Sequence, residues 1–134
     1  MNIKINSTRE RAPQSCGKVM KVEQFIAYID ETMKTLRERE AELAQSDRKD
    51  EANMVKVQIN IYGVCKTIYD AVCKTCAPEN VNEVYLQKLE HLPDNWRASL
   101  EKARTHDDIG RIVVEELKLE AYADVKEKFL EWNR

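Results

Sequence analysis

Apolar residues recur at spacings of four and three in the first long segment of the chain, from about residue 18 to 44. Such spacing places side chains along one face of a helix, as in a heptad seam. Glu40 takes the single polar position in this pattern. The apolar positions are Val22, Ile26, Ile29, Met33, Leu36 and Leu43. The pattern therefore predicts one long helix over these residues.

A second helix is predicted after the polar turn QSDRKD at residues 45–50, where Ser46 or Asp47 can serve as the N-cap. The four-three spacing returns at Met54, Gln58, Ile61, Cys65, Ile68 and Val72, and a stripe at intervals of seven contains Val55, Tyr62, Tyr69 and Cys76. A face this wide is typical of a helix that has more than one neighbour in a bundle. Pro78 disfavours helical geometry at Ala77 and so ends the helix at about Cys76.

The short turn predicts that the two long helices form an antiparallel hairpin. Counting outward from the turn, Ile29 lies opposite Cys65, and Val22 lies opposite Val72. In this register apolar residues meet apolar residues at nearly every layer. We therefore expect the folded hairpin to adopt it.

A long C-terminal helix is predicted from about residue 106 to 132, with Thr105 as its cap. Before it, two short helices are predicted, one that Pro93 ends and one that contains Trp96. In the last helix apolar residues fall at every fourth position, at Ile109, Val113, Leu117, Ala121, Val125 and Phe129. A spacing of four advances about 40° per step, so this stripe winds around the helix. Such a helix is either central in a bundle or shared with a second chain.

These elements predict an all-α fold, a helical bundle built on a long antiparallel hairpin, two short helices and a long C-terminal helix. Residues 1–17 are polar and contain Pro13 and Gly17, so we expect a flexible N-terminal arm before a single domain at residues 18–134. The composition agrees with a helical fold. The chain has 134 residues but only three glycines and three prolines, which are too few turn-forming residues for a many-stranded β fold.

The charge pattern argues against nucleic acid and membranes as partners. The chain mixes 22 basic and 24 acidic residues along its length, for a net charge of -2, and so has no extended field to attract either one. No apolar run approaches the roughly 18 residues that a membrane span needs, and the N-terminal segment lacks the apolar core of a secretion signal. We therefore expect a cytoplasmic protein whose cysteines are thiols.

Three of the four cysteines, Cys65, Cys73 and Cys76, fall within twelve positions, and the last two form a C-x-x-C. Reactive C-x-x-C pairs lie at helix N-termini, whereas this pair ends a helix, where the dipole opposes a thiolate. A structural zinc site needs four ligands. Side-chain packing alone explains Cys65 and Cys76. The hairpin register nevertheless brings Cys16 within reach of Cys76, so Cys16, Cys73 and Cys76 remain a candidate metal or disulfide site.

The chain contains no H-E-x-x-H, no glycine-rich phosphate loop and no G-x-S-x-G. The Glu-x-x-His pair of di-iron bundles is also absent, because Lys88 precedes His91 and Ala103 precedes His106 at that spacing. The dipeptide His106-Asp107, with His91 upstream and Asp124 downstream, is faintly similar to the metal-dependent HD phosphohydrolases, which are also helical. That family spreads its ligands over a much longer stretch of chain, and the start of a capped helix already explains the pair.

Three functional hypotheses follow. The leading one is a protein-protein interaction or scaffold module that self-associates, as a dimer or another homo-oligomer, through the C-terminal helix. The first alternative is a thiol-based metal or redox sensor that uses Cys16, Cys73 and Cys76. The second is a small-ligand binder or hydrolase with a site between helices, lined by Tyr62, Tyr69, Trp96, Phe129 and Trp132. We expect no cofactor and favour interaction over catalysis.

Overall fold

A computed structural model of the protein describes residues 13–133, with side chains from Val22 onward. The helices are α1 (Pro13–Gln45), α2 (Lys49–Thr75), α3 (Val81–His91), α4 (Asp94–Thr105) and α5 (Ile109–Trp132), and a 3-10 turn at Pro78–Asn80 joins α2 to α3. No β-strand occurs in this range. The predicted all-α bundle is confirmed. Residues 1–12 of the predicted arm lie outside the described range, and α1 begins before the expected start.

The α1–α2 hairpin adopts the predicted antiparallel register. Lys66 Nζ lies 2.6 Å from Asp30 Oδ1, and Lys56 Nζ lies 3.5 Å from Glu40 Oε2. Both ion pairs fall close to the register that the apolar seams predict, because a short turn forces residues at equal distances from it to face each other. The hairpin is therefore the frame on which the other helices pack.

The main core lies where α3 and α5 pack against the hairpin. At its centre four aromatic rings meet edge to face, with centroids 4.9 to 6.1 Å apart. They belong to Phe25, Tyr69, Tyr85 and Phe129. The Tyr85 hydroxyl donates a hydrogen bond to the Cys65 carbonyl at 2.9 Å, so this buried phenol is satisfied. Phe25 lies outside the predicted seam and is buried because α3 and α5 widen the covered face of α1.

A smaller apolar cluster stabilises the turn end of the hairpin. Its buried members are Leu43, Ala52 and Val55. Because this cluster involves only α1 and α2, one residue of the predicted α2 seam is left uncovered. That residue is Met54, which is 40% exposed.

The predicted N-caps of α2 and α5 are wrong. The caps are Arg48 and Asp108, because the helix that precedes each one extends further than expected and ends in a backbone hydrogen-bonded turn. Asp47 and Asp107 adopt left-handed backbone conformations, with φ of 61° and 53°. The next amide then bonds back five residues, as from Asp108 to the Ala103 carbonyl at 2.9 Å, which is the Schellman closure of a helix end. Thr105 therefore belongs to α4, and Asp108 caps α5 by accepting a hydrogen bond from the Arg111 amide at 3.2 Å.

No helix in the described range is long and apolar enough to cross a membrane.

Candidate functional site

The first half of α5 carries apolar side chains that the fold covers only in part. Six apolar residues lie between Ile109 and Leu119, and none of them is buried. Ile109 is 68% exposed, and the other five are half-buried. They are Ile112, Val113, Val114, Leu117 and Leu119. We call Ile109, Ile112, Val113 and Leu117 the α5 apolar surface, because their spacing of three and four makes them neighbours on the helix.

The second half of α5 behaves in the opposite way. Ala121, Val125 and Phe129, the last three members of the predicted winding stripe, are at most 3% exposed. The stripe rotates about 40° at each step, so a straight helix can turn only part of it toward one core. Ala121 onward faces the core, and Ile109 faces solvent. A single copy of the chain therefore buries only the C-terminal half of the stripe.

The α5 apolar surface is close to electrically neutral. The opening sequence IGRIVV of α5 contains one charged residue, Arg111. Gly110 adds open space, because a Cβ at that position would approach nothing nearer than Asp108 Oδ1, at 4.0 Å. Glu116 lies beside the surface and pairs with Arg104 of α4 at 3.2 Å. Apart from Arg111 and the carboxylates of Asp107 and Asp108 just before it, this helix start is apolar. With room beside its backbone, it is suited to close contact with another helix.

Glu115 fixes α4 against α5 beneath this surface. It is 1% exposed, and its Oε2 accepts a hydrogen bond from the Ser99 hydroxyl of α4 at 2.9 Å. Arg111 Nη1 lies 3.3 Å from the same oxygen, and Lys118 Nζ lies 3.3 Å from Oε1. Burial raises the pKa of this carboxyl, but the Ser99, Lys118 and Arg111 contacts outweigh it and hold the pKa below its ordinary value. Glu115 is therefore ionised near neutral pH and acts as a structural anchor.

A second polar cluster joins three helices at one carboxylate. Asp124 Oδ2 of α5 accepts hydrogen bonds from the Tyr28 hydroxyl of α1 at 2.6 Å and from the Tyr62 hydroxyl of α2 at 2.5 Å. Burial and the neighbouring Asp124 raise the pKa of Tyr28 to about 12 and also raise the pKa of Tyr62. Both phenols therefore stay protonated as donors. The spacing of apolar residues did not predict this cluster, and its one signal was an aspartate directly before Val125 of the winding stripe.

The cysteines occupy different environments. Cys65 is fully buried, and burial raises the pKa of its thiol to about 12. Cys73 is exposed, whereas Cys76 is half-buried and packs against the main core. The side chain of Cys16 lies outside the described residues, and the other two members of the proposed three-cysteine site, Cys73 and Cys76, lie at the same end of α2. Within the described part of the chain, no three His, Cys, Asp or Glu residues are arranged to hold a metal ion.

The aromatic residues of the ligand-pocket hypothesis contribute to the core. Tyr62, Tyr69 and Phe129 are buried, and Trp96 and Trp132 pack against the core cluster. Among the described residues, cavities of about 540, 370 and 280 Å³ open to solvent and are lined mainly by charged and polar residues. The smallest lies where α4 meets α5, and its lining residues are Ser99, Lys102, Ala103, His106, Asp108 and Arg111. These cavities are shallow, and no aromatic ring lines them.

Comparison with protein families, with curated proteins and with solved structures gives no match to this chain. Its function therefore has to be inferred from its own surface and chemistry.

Proposed function

We propose that the protein is a cytoplasmic helical interaction module that self-associates through the α5 apolar surface. The observation behind this proposal is the incomplete burial of the first half of α5, where one of six apolar side chains in eleven residues is exposed and the other five are half-buried. Contiguous exposed apolar patches on small domains mark interaction sites more often than scattered apolar residues do.

The expected affinity follows from the size of the surface. Burying a whole isoleucine side chain contributes about 1.5–3 kcal/mol, so covering the exposed part of Ile109 contributes about 1–2 kcal/mol in each copy. The half-buried residues add less. Association costs several kcal/mol in lost translational and rotational freedom. A surface of four apolar residues is at the small end of specific interfaces, so the gain exceeds this cost by little. We therefore expect a weak dimer that forms only toward the upper end of the micromolar concentration range.

A second copy of the chain is the partner whose chemistry the surface fits best. In a symmetric dimer the same patch occupies both sides of the interface, so the patch must be free of strong like charge. The opening residues of α5 meet that condition, with Arg111 as their one charge. Arg111 is itself partly neutralised by Glu115 at 3.3 Å. A strongly charged partner would find no complementary field on this surface.

The test is the concentration dependence of the molar mass, measured by light scattering from low micromolar to several hundred micromolar chain. The informative variant is Ile109→Glu. Ile109 is 68% exposed, and an acidic residue in the first turn favours a helix, so the variant keeps the monomer fold while placing a charge in the interface. Leu130→Glu is the matched control, because Leu130 is 39% exposed on the same helix but near its other end.

We expect the wild-type chain and Leu130→Glu to show the same monomer–dimer equilibrium, and Ile109→Glu to remain monomeric over the whole range. A wild-type chain that is strictly monomeric at every concentration contradicts the proposal. A dimer that Ile109→Glu leaves intact shows that another surface is used.

A thiol-based metal or redox site is the second candidate. The observation that favours it is the position of two free thiols, Cys73 and Cys76, one helical turn apart at the end of α2, with Cys73 exposed. Cys16 would supply a third ligand. Elemental analysis of protein purified without chelator tests this function, with the Cys16→Ser, Cys73→Ser and Cys76→Ser triple variant as the control. About one zinc or iron per chain that the triple variant loses supports the site, whereas equal metal content and equal oxidised mobility exclude it.

A further inference from the structure

Helix α4 is held to the bundle mainly by α5, which is the one described helix against which it packs extensively. Eight of its twelve residues are exposed. Leu100 and Ala103 are its two buried residues, and neither of them belongs to the apolar core clusters described above. An isolated helix of this length is marginally stable in water, so α4 depends on its contact with α5.

The Glu115 carboxylate lies in this contact but does not need α4 for its charge. Its cationic partners, Arg111 and Lys118, belong to α5 itself, and each lies 3.3 Å from a carboxylate oxygen. The Ser99 hydroxyl of α4 supplies one further hydrogen bond, at 2.9 Å. Water replaces that bond when α4 leaves, and it also rehydrates a charge that docking buries at a cost. Ser99 therefore holds α4 against α5 only weakly.

The Tyr122 side chain is a second buried polar group in the same contact. Its ring packs edge to face on Trp96 of α4, with centroids 6.4 Å apart, and the residue is 4% exposed. Its hydroxyl has no hydrogen-bond partner among the residues that the structure describes. A buried hydroxyl without a partner has lost its bonds to water and gained none in return. The docked position of α4 is therefore opposed by the polar groups that it covers.

From these contacts we propose that α4 is a detachable cover of α5, which unfolds locally while the rest of the bundle stays folded. Both ends of α4 are tethered by short connections, at residues 92–93 and 106–108, so α4 has to unfold in order to leave α5. Elements with few buried apolar contacts open at the lowest free energy in a native protein. The proposal concerns the monomer and is independent of self-association.

Opening uncovers a stripe of α5 whose members lie along one line of the helix, because they follow a three-four-three spacing. They are Ile112, Glu115, Leu119 and Tyr122. Ile112 also belongs to the α5 apolar surface, so the stripe widens that surface by Leu119 and the ring of Tyr122. Docked α4 is thus an autoinhibitory contact that limits the apolar area of α5.

Hydrogen exchange of backbone amides, followed by nuclear magnetic resonance, detects this opening. The full chain is placed in deuterium oxide at a concentration where light scattering shows the monomer. Exchange is then compared between residues 99–103 of α4 and residues 61–69 of α2. Tyr122→Phe removes the hydroxyl that lacks a partner and keeps the ring. Tyr28→Phe is the control, because it weakens the contact of α1 with α5 at a site that does not touch α4.

In the wild-type chain the α4 amides exchange about a hundredfold or more faster than the α2 amides. Tyr122→Phe slows exchange in α4 about fivefold or more, because docking no longer removes water from a hydroxyl. Tyr28→Phe accelerates exchange in α2 about threefold or more and leaves exchange in α4 unchanged. This difference arises because the contacts of Tyr28 are the same whether α4 is docked or open, whereas global unfolding breaks them.

Three results contradict the proposal. Equal exchange rates in α4 and α2 would mean that α4 opens only when the whole bundle unfolds. The same conclusion follows if Tyr28→Phe accelerates exchange in both helices by the same factor. If Tyr122→Phe leaves exchange in α4 unchanged, α4 does not cover the Tyr122 hydroxyl, and the stripe assigned to the open state is wrong.

Discussion

Replacing Asp124 by alanine is the sharpest test of how the bundle is held together. Asp124 Oδ2 accepts hydrogen bonds from Tyr28 at 2.6 Å and from Tyr62 at 2.5 Å, so one oxygen joins α5 to both helices of the hairpin. The variant removes the acceptor of both hydrogen bonds at once. Tyr62 is 7% exposed, so water cannot easily replace its lost partner, whereas Tyr28 is only half-buried.

The expected loss of stability follows from these two environments. A hydrogen bond to a charged group contributes about 1.5–3 kcal/mol, and a buried donor left without a partner costs about 1–3 kcal/mol. The Tyr62 bond should contribute in full, and the more exposed Tyr28 bond should contribute less. We therefore expect Asp124→Ala to lower the free energy of unfolding by about 2–4 kcal/mol. For a chain of this length that corresponds to a decrease in Tm of roughly 6–16 °C.

Urea denaturation followed by far-ultraviolet circular dichroism measures this loss. Asp70→Ala is the matched control, because it makes the same substitution at an exposed position of α2 and should change stability by less than about 0.5 kcal/mol. A double-mutant cycle with Tyr62→Phe isolates the pair, and its coupling energy should exceed about 1 kcal/mol. An Asp124→Ala variant within 0.5 kcal/mol of wild type, or a cycle with no coupling, would refute the structural role of Asp124.

The same cluster predicts sensitivity to alkaline pH. Burial, together with Asp124, raises the pKa of Tyr28 to about 12 in the folded protein, compared with about 10 in the unfolded chain. A phenol with a raised pKa stabilises the fold below the unfolded pKa, and that contribution is lost as the pH rises through the folded one. We expect the loss between about pH 10 and pH 12. In Asp124→Ala, ultraviolet titration of tyrosinate should show a lower pKa for Tyr28 that still exceeds the ordinary value, because burial remains.

Two further substitutions test other parts of the structure. Glu115→Gln should lower the free energy of unfolding by about 1–3 kcal/mol at pH 7. Because the pKa of Glu115 is depressed in the folded protein, its stabilisation is present above the unfolded pKa and is lost as the pH falls. The difference in unfolding free energy between variant and wild type should therefore shrink below about pH 4. A constant difference from about pH 7 to about pH 3 would contradict this. Gly63→Ala should raise the urea midpoint by the equivalent of about 0.5–1 kcal/mol, since alanine is the better helix former. Its Cβ meets only the flexible end of Met33, at 3.4 Å, and a lower midpoint would mean that α1 and α2 cannot accommodate a methyl group there.

The fold class and the hairpin register could be predicted because they depend on local patterns. Spacings of three and four determine which face of a helix is apolar, and a short turn determines that two such faces meet antiparallel. The caps could not be predicted from side-chain preferences alone. At Asp47 and Asp107 the end of one helix closes by backbone hydrogen bonds, and this closure shifts the start of the next helix by a few residues.

The candidate site shows where local pattern stops being informative. The winding stripe of α5 was visible in the sequence, and so was the question of whether one chain or two would cover it. The pattern alone could not show that Ile109 is exposed while Phe129 is buried, because burial depends on which neighbouring helices extend alongside each turn. The same reason explains why local pattern did not predict the roles of Phe25, Tyr28 and Asp124. Each of these residues gains its contacts only where helices distant in the sequence pack together.

The amino-acid sequence by itself determined that the chain is helical, where its long apolar faces lie and how the hairpin is aligned, because these follow from periodicity and turn length. Tertiary structure decided which part of each face is covered. It buried Glu115 between α4 and α5 with three polar partners. It left Ile109 in solvent, whereas Ala121, twelve residues later on the same stripe, is buried in the core. The physical reason is that burial is a property of neighbouring elements, which no local spacing specifies.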